Sequence, residues 1–459
     1  VASIATPGSA GWHNDRGNAL CDEYRFGEAI AEYERAIALA PDFAAAYSNM
    51  GTALRDSDRI DEAIQAHRRA LQLRPNLAEA LNNLAIALRD VGQWDEAQQC
   101  CRRAIAIKPE YADAHANLGV ILCEVEQADE AVAACRRAVE LQPRRGVLQN
   151  NLGMILLKLG QYEEGWAKAE WRYFCDPRFP ARALPKPRWN GEDLRGRTLL
   201  IHAEQGFGDT IQFSRYVPLA SARGGKVVFE CPPEQRRLFE CFPNVQHLVT
   251  AGDVLPEFDL HCPTMSLPLA FGTTVETVPS EVYLQANLER VEYWRARMGQ
   301  ETPHIHAGLR RWKIGMVWAG KPTHTDDRNR SMALSELAPL ASVDAAFYSL
   351  QKGVAARQVS ERPGGLKLLE YSEEFLDFAE TAAFIANLDL VIAVDTSVAH
   401  LAGAMGKPVY LLLPKVSEWR WMLRRSDTPW YPHTRLFRQE RWRDWTAPVN
   451  EIVALLNNR

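Results

Sequence analysis

The chain has 459 residues, 47% hydrophobic and 24% charged, the composition of a folded globular chain with length for about three domains. A formal charge of -5 at pH 7 gives no case for a broadly basic nucleic-acid binder, and no apolar run is long enough for a spanning helix. The start, Val1 to Ala10, lacks a basic segment followed by a long apolar one, so no signal peptide is expected. The nine cysteines are scattered, with only Cys100 and Cys101 adjacent and no CxxC spacing. Metal and redox sites are therefore not expected, and a reducing cytoplasmic compartment fits.

The first third is periodic. Prolines 41, 75, 109, 143 and 177 recur at a constant spacing of 34 residues, the period of a stacked helical solenoid. In the same phase stand Gly17, Gly51, Ala85, Gly119 and Gly153, the leucines 20, 54, 88, 122 and 156, and Ala29, Ala63, Ala97, Ala131 and Gly165. Each unit reads as two amphipathic helices that approach closely at the small residues and fill their contact with leucine. The proline is expected at a helix start, where its missing N–H breaks no bond. Asn49, Asn83, Asn117 and Asn151 also recur in phase, either as a solvated face, as local structural hydrogen bonds or as peptide contacts. The last unit, YEEGWAKAEWRYF, is bulkier, and Trp166, Trp171 and Tyr173 suit a cap against a following domain. Prolines from Pro177 to Pro187 mark the joint.

From about residue 190 short apolar strands alternate with helices. Strands are predicted at 198–203, 226–230, 246–250 and 258–261, then at 312–318, 347–350, 390–394 and 408–413. The alternation argues parallel sheets in two Rossmann-like halves, joined by a crossover at 285–310, with a ligand expected between them. The expected division is 1–180 for the solenoid and cap, 181–305 and 306–438 for the two halves, and 439–459 for a terminal helical segment that crosses back or stays put.

Three strand ends carry chemistry. The first runs into HAEQGFGDTIQFSRY, where Gly206 and Gly208 permit a tight turn and Asp209 either caps a helix or removes a proton from an acceptor hydroxyl. The second runs into VWAGKPTHTDDRNRS, where Gly320 and Lys321 can present backbone donors and an ammonium to phosphate, with Arg330 as a further cation. Trp318 reads as a packed aromatic, His324 as a ligand contact or a surface residue, and the Asp326-Asp327 doublet does not by itself make a metal site. The third, DLVIAVDTSVAHLAGAMGKP, places Asp395, Thr396, Ser397 and His400 at a helix start, a natural seat for pyrophosphate. Asp395 is expected to hold sugar hydroxyls or to cap the helix. The late tryptophans 419, 421, 430, 442 and 445 read mainly as buried packing, and Arg420 and Arg424 as donor contacts or as anchors of their own segment.

Two resemblances follow from these residues. Segments such as NMGTALRDSDRIDEAIQAHRRALQLRPN resemble the tetratricopeptide repeat over about residues 10 to 177, which implies a scaffold that binds a peptide or protein. From Trp189 to about Trp442, the phrases HAEQGFGDTIQF, VWAGKPTHTDDRNRS, YSLQKG, DTSVAHLAGAMGKP and SEWRWMLRRSDTPWYPHTRLFRQ resemble a GT-B glycosyltransferase of the heptosyltransferase-like group. That resemblance implies an N-terminal half for the acceptor and a C-terminal half for a nucleotide-sugar donor. It implies Asp209 as general base, with Asp395, Thr396, Ser397 and His400 at the donor, Lys321 and Arg330 neutralising its diphosphate, and Gln351 and Lys352 near the nucleotide.

The reading is therefore an all-α solenoid followed by an α/β GT-B fold, acting as an inverting, metal-independent transferase of sugar to a protein hydroxyl. The solenoid beside the acceptor half implies a protein acceptor such as flagellin or another surface protein, with no nucleic acid and no integral membrane association. The rivals are a non-catalytic interaction module that retains the fold, and a glycan or lipid transferase localised by its solenoid.

Overall fold

The computed structural model describes residues 6–175, 180–299, 305–306, 309–324 and 326–458. These divide into two compact units, one of residues 1–156 with 168–180 and one of 157–167 with 181–459.

The first unit is helical. Its helices pair in chain order: α1 (Ala10–Asp22) with α2 (Phe26–Leu39), α3 (Ala44–Asp56) with α4 (Ile60–Leu73), α5 (Ala78–Arg89) with α6 (Trp94–Ile107), and α7 (Ala112–Glu124) with α8 (Ala128–Leu141). Then come α9 (Gly146–Lys158), whose end enters the second unit, and α10 (Tyr162–Ala169), most of which lies in it. The in-phase leucines and alanines are buried, as their spacing predicts. The small residues have a steric purpose: a Cβ on Gly51 would lie 2.7 Å from the His67 ring, so α3 and α4 touch there only without one. The same register places Tyr33 against Gly17 and Cys135 against Gly119.

One expectation changes, and one open alternative is decided. Pro41, Pro75, Pro109 and Pro143 stand in the turns just past α2, α4, α6 and α8, not at helix starts. Ala40 closes α2 with its N–H on Ala36 O, and the proline after it, having no N–H, cannot extend the helix. Pro177 lies outside the described residues. The recurrent asparagines are tied into the stack: Asn49 Nδ2 donates to Asn14 Oδ1 (3.0 Å) and Asn18 Oδ1 (3.1 Å), Asn83 to Thr52 Oγ1 (3.3 Å) and Asn117 to Asn82 Oδ1 (2.8 Å).

The second unit holds two parallel sheets. The first has β1 (Thr198–His202), β2 (Lys226–Cys231), β3 (Val245–Thr250) and β4 (Leu260–Pro263), in the order β3-β2-β1-β4. Its helices are α11 (Phe207–Phe213), α12 (Tyr216–Ser221), α13 (Arg236–Phe239) and α14 (Leu267–Ala270). Helix α15 (Leu288–Gly299) and a short antiparallel pair, β5 (Ile305–His306) and β6 (Leu309–Arg310), occupy the connection; residues 300–304, 307 and 308 of the expected crossover lie outside the described residues.

The second sheet has β7 (Trp312–Val317), β8 (Ala345–Ser349), β9 (Leu368–Glu370), β10 (Leu390–Val394), β11 (Val409–Leu413) and β12 (Thr434–Arg438), ordered β12-β11-β10-β7-β8-β9. Relabelled within the sheet this is the 3-2-1-4-5-6 order of a doubly wound dinucleotide-binding fold, and the first sheet is its 3-2-1-4 portion. The remaining helices are α16 (Asp327–Arg330), α17 (Phe378–Ala386), α18 (Ser397–Ala404) and α19 (Thr446–Asn457). All eight predicted strands form, with ends shifted by up to two residues, while β9 and β12 were not anticipated. Their short or charge-containing stretches, LLE and TRLFR, carry no long apolar run.

Two helices, one before the second sheet in sequence and one after it, pack on its domain. Trp294 of α15 packs its ring on Phe375 (5.5 Å) and Phe384 (5.2 Å), and its Nε1 donates to Glu380 (3.1 Å). The terminal α19 does not cross back: Val449 and Ile452 join Ile314, Leu412 and Phe437 in the core of the second sheet, because its apolar stripe is matched by theirs.

Residues 157–167 belong to the second unit through two aromatic anchors. Trp166 Nε1 donates to Thr273 O (3.0 Å) and Trp430 Nε1 to Tyr162 Oη (3.1 Å), with Trp419 and Phe213 against Trp166. Trp171 and Tyr173 stay in the first unit, beside Phe174 and Arg172. Of the three aromatics expected to form a cap, Trp166 alone joins the second unit.

His67 gives the first unit a pH dependence. Both ring nitrogens are buried without a partner among the described residues, and burial lowers its pKa to about 3. A histidine that must stay neutral when folded destabilises progressively as pH falls below its unfolded value near 6.5. Stability of the first unit should fall by about 2 kcal/mol between pH 7 and pH 5. His67→Leu should remove that loss, as read from the unit's urea unfolding transition at the two pH values.

Candidate functional site

The strand ends of both sheets meet at their switch points, where β1 leads into α11, β10 into α18 and β7 into the α16 loop. In open parallel sheets ligands bind there, because helix N-termini converge beyond the carboxyl ends of the strands.

The loop after β1 differs from its expected form. The left-handed residue is Gln205 (φ 62), not a glycine, while Gly206 is extended at φ -85. Gly208 is needed for space: a Cβ there would lie 2.9 Å from His400 Cδ2 and 3.7 Å from Ser397 Cα. Helix α11 therefore lies directly on the start of α18. Asp209 follows, and its carboxylate accepts from Gly206 N–H (3.1 Å), so it does cap its helix. Its other oxygen accepts from Arg420 Nη2 at 2.7 Å, across from the second sheet.

Arg420 is the residue that sequence reasoning set aside. It is buried, with Nη1 3.3 Å from Glu418 and the guanidinium 5.3 Å above the Trp419 ring. Burial works against its charge, but the Glu418, Asp209 and Asp395 carboxylates overcome that and raise its pKa. Against the Arg420 guanidinium, loss of water and the fields of Asp395, Asp209 and Asp326 push the Glu418 carboxyl up to about 7. The only sequence signal for this cluster was the WRW triplet following an acidic residue. Two non-glycine residues just beyond, Met422 (φ 55) and Arg424 (φ 52), are left-handed, backbone strain of the kind that gathers at functional loops.

At α18 the expected donor residues separate into two groups. Asp395 and His400 are buried and bonded to protein groups: Trp421 Nε1 donates to Asp395 Oδ2 (2.7 Å), His400 Nε2 stands 3.6 Å from Asp395 Oδ1, and His400 Nδ1 is 2.9 Å from Tyr431 Oη. Burial would raise the Asp395 pKa, yet His400, Arg420 and Trp421 hold it at about 2. Burial lowers that of His400 despite its carboxylate neighbour. Asp395 is thus not the helix cap; it fixes the indole that stacks on His400 at 5.5 Å. Thr396 and Ser397 are half-exposed. Thr396 sits at the N-cap without capping, because its hydroxyl turns back to Val394 O (3.3 Å). The first amides of α18 thus have no side-chain cap.

The residues around β7 divide in the same way. Gln351 is buried, with Oε1 accepting from Trp318 N–H (3.1 Å) and Ala319 N–H (2.9 Å) and Nε2 donating to Ala319 O and Lys352 O (3.0 Å each). Gly320 N–H donates to Ser331 Oγ (2.8 Å). The Trp318, Ala319 and Gly320 amides are therefore spent within the loop, and Gln351 shapes that loop. Trp318 is core. Arg330 pairs with Asp327 (3.3 Å), and Lys352 Nζ donates to Phe375 O. Lys321 and His324 are exposed, and the field of Asp395 reaches both His324 and Asp326. Among the described residues, no group of three or more His, Cys, Asp or Glu is placed to hold a metal, and no helix is long and apolar enough to cross a membrane.

With this geometry in view, the comparisons bear on its two parts. Residues 17–56 match a TPR repeat model, and 42–110 and 76–144 a tetratricopeptide repeat model. Residues 375–442 match the model for glycosyltransferase family 9 (heptosyltransferase). The chain is a tetratricopeptide-repeat region joined to a domain matching glycosyltransferase family 9. That match takes in α18, Glu418, Arg420 and Trp421.

Protein FlbA of Caulobacter vibrioides is 27% identical over 308 residues, 61% of this chain and 49% of that protein, so the match spans about half of the relative's length. Among solved structures, a MamA fragment from Desulfovibrio magneticus RS-1 aligns at 20% identity over 37% of this chain and 93% of its own, with a TM-score of 0.30. TTC0263, a TPR protein of Thermus thermophilus, aligns at 19% identity over 37% and 92%, with a TM-score of 0.34.

The raised Glu418 carboxyl has a measurable consequence. A carboxyl whose folded pKa exceeds its unfolded value stabilises fully below about pH 4.5 and loses that contribution as pH rises through 7. The melting temperature of Glu418→Gln relative to wild type should therefore be higher at pH 8 than at pH 5 in calorimetric scans.

Proposed function

We propose that the second unit is an inverting, metal-independent glycosyltransferase that moves a sugar from a nucleotide donor to a protein hydroxyl delivered by the repeat region. Residues 181–305 take the acceptor and 306–438 the donor, in the cytoplasm. Asp209 accepts the hydroxyl proton while the acceptor oxygen bonds to the anomeric carbon and the carbon–oxygen bond to phosphate breaks, its electron pair leaving with the diphosphate. The uncapped start of α18 at Thr396 and Ser397, with Arg420, Arg330 and Lys321 as cations, stabilises the departing charge. Asp395 and His400 support this arrangement from behind, and Gln351 and Lys352 hold the loops beside it.

The observation that carries the reading is the convergence of Asp209 with the uncapped start of α18 at the switch points, with α18 and Arg420 inside the region that matches family 9. The repeat region supplies the reason for a protein acceptor, since such scaffolds present long surfaces to peptides.

Calorimetry across UDP, GDP, ADP, CMP and their sugar conjugates, with and without divalent metal, tests it. One nucleotide family should bind selectively, and Thr396→Ala should weaken it several-fold while the fold is kept. No binding to the folded chain would favour an interaction module that retains the fold.

A further inference from the structure

Resting on the reading above, we propose that Arg420 is shared between Asp209 and the diphosphate of the bound nucleotide. Its transfer from one to the other couples ligand binding to release of Asp209.

As it stands, both Asp209 oxygens are engaged. One accepts from Gly206 N–H and the other from a guanidinium at 2.7 Å, a charge-assisted pair of the stronger kind. A carboxylate has about four lone-pair sites, and the guanidinium holds one of those on Oδ1; moving the cation frees that site for the acceptor hydroxyl.

Arg420 is placed to leave. Its neighbour Trp421 is bonded to Asp395 and stacked on His400, which holds position 420 beside the first turn of α18. Gly208, next to Asp209, lies close to the same turn, where a Cβ on it would stand 3.7 Å from Ser397 Cα. The guanidinium is therefore within reach of both the carboxylate on α11 and an anion seated at the uncapped amides of α18. An independent feature points to such a ligand. Arg420 Nε is buried, and among the described residues nothing accepts its hydrogen bond. Five donors in a planar fork suit a phosphate better than the two carboxylate contacts they now make.

Charge makes the two contacts compete. The Glu418, Asp209 and Asp395 carboxylates act on this guanidinium, and Asp326 acts on Glu418, so a diphosphate that takes Arg420 as a close counter-ion draws it away from them. The ligand's affinity then includes the loss of the Asp209 pair, and removing the Asp209 charge should strengthen binding. A purely structural ion pair predicts no such gain.

A double-mutant cycle on the full chain reads this directly, using calorimetry with UDP, GDP, ADP and CDP as probes. For the nucleotide that wild type selects, Asp209→Asn should bind at least fivefold tighter and Arg420→Met at least tenfold weaker. In the Arg420→Met background Asp209→Asn should change affinity by less than twofold. If Arg420→Met does not fold, Arg420→Lys takes its place, and the gain from Asp209→Asn should shrink in that background. Unchanged or weaker binding by Asp209→Asn overturns the exchange while leaving the transferase reading intact. A gain that persists in full without Arg420 also overturns it, since simple repulsion by the carboxylate would then explain the effect. No binding of any probe by the folded wild type and Asp209→Asn chains overturns both.

Discussion

The contact of Gly208 with His400 is the constraint on which the site depends. It brings α11 of one sheet onto α18 of the other with no side chain between them, and His400 cannot yield, being held by Tyr431, Asp395 and the Trp421 ring. With those helix starts fixed, Asp209 meets Arg420 and the Thr396–Ser397 turn faces the same space. The rest of the junction reinforces it: Arg237 bonds Asp377 (2.9 Å), and the segment before α15 donates from Tyr283 and Leu284 to Ala404 O.

Two buried arginines serve this junction in different ways. Arg215 donates to Gln212 O, Pro279 O, Trp430 O and Tyr283 Oη, and lies about 5 Å from three aromatic rings. Neutral acceptors and π faces leave its charge diffuse and its donors used, which suits a fixed clamp. Arg420 is paired instead with ionisable carboxylates, and its Nε has no acceptor among the described residues. Charge pairs of this kind are strong but exchangeable, since another anion can take the place of either carboxylate. Burial is common to both, and the chemistry of the partners is what separates them.

The late tryptophans show the same economy of roles. Trp419 and Trp430 surround Trp166, Trp421 orients Asp395 and His400, and Trp445 joins the core beneath α19. In sequence they form one cluster, whereas in space these four fill three places. Spacing alone does not encode which indole N–H will meet a carboxylate.

Much of the architecture was legible because it rests on periodic, local causes. The 34-residue phase, the leucine and small-residue series and the strand and helix alternation each follow from burial of one face per element, and a single sequence displays that pattern directly. The Gly206–Gly208 loop after β1 and the Asp-Thr-Ser run after β10 were what drew the sequence reading to Asp209 and to the Thr396–Ser397 turn. What sequence alone left open was the pairing of distant groups: that Gln351 would consume the amides of the β7 loop, that Asp395 would serve Trp421 and His400, and that Arg420, 211 residues away, would hold Asp209. Those outcomes depend on which side chains the two sheets bring within about 3 Å of one another. Hydrogen bonds and ion pairs of that length are decided by tertiary packing, to which local propensity and periodicity are blind.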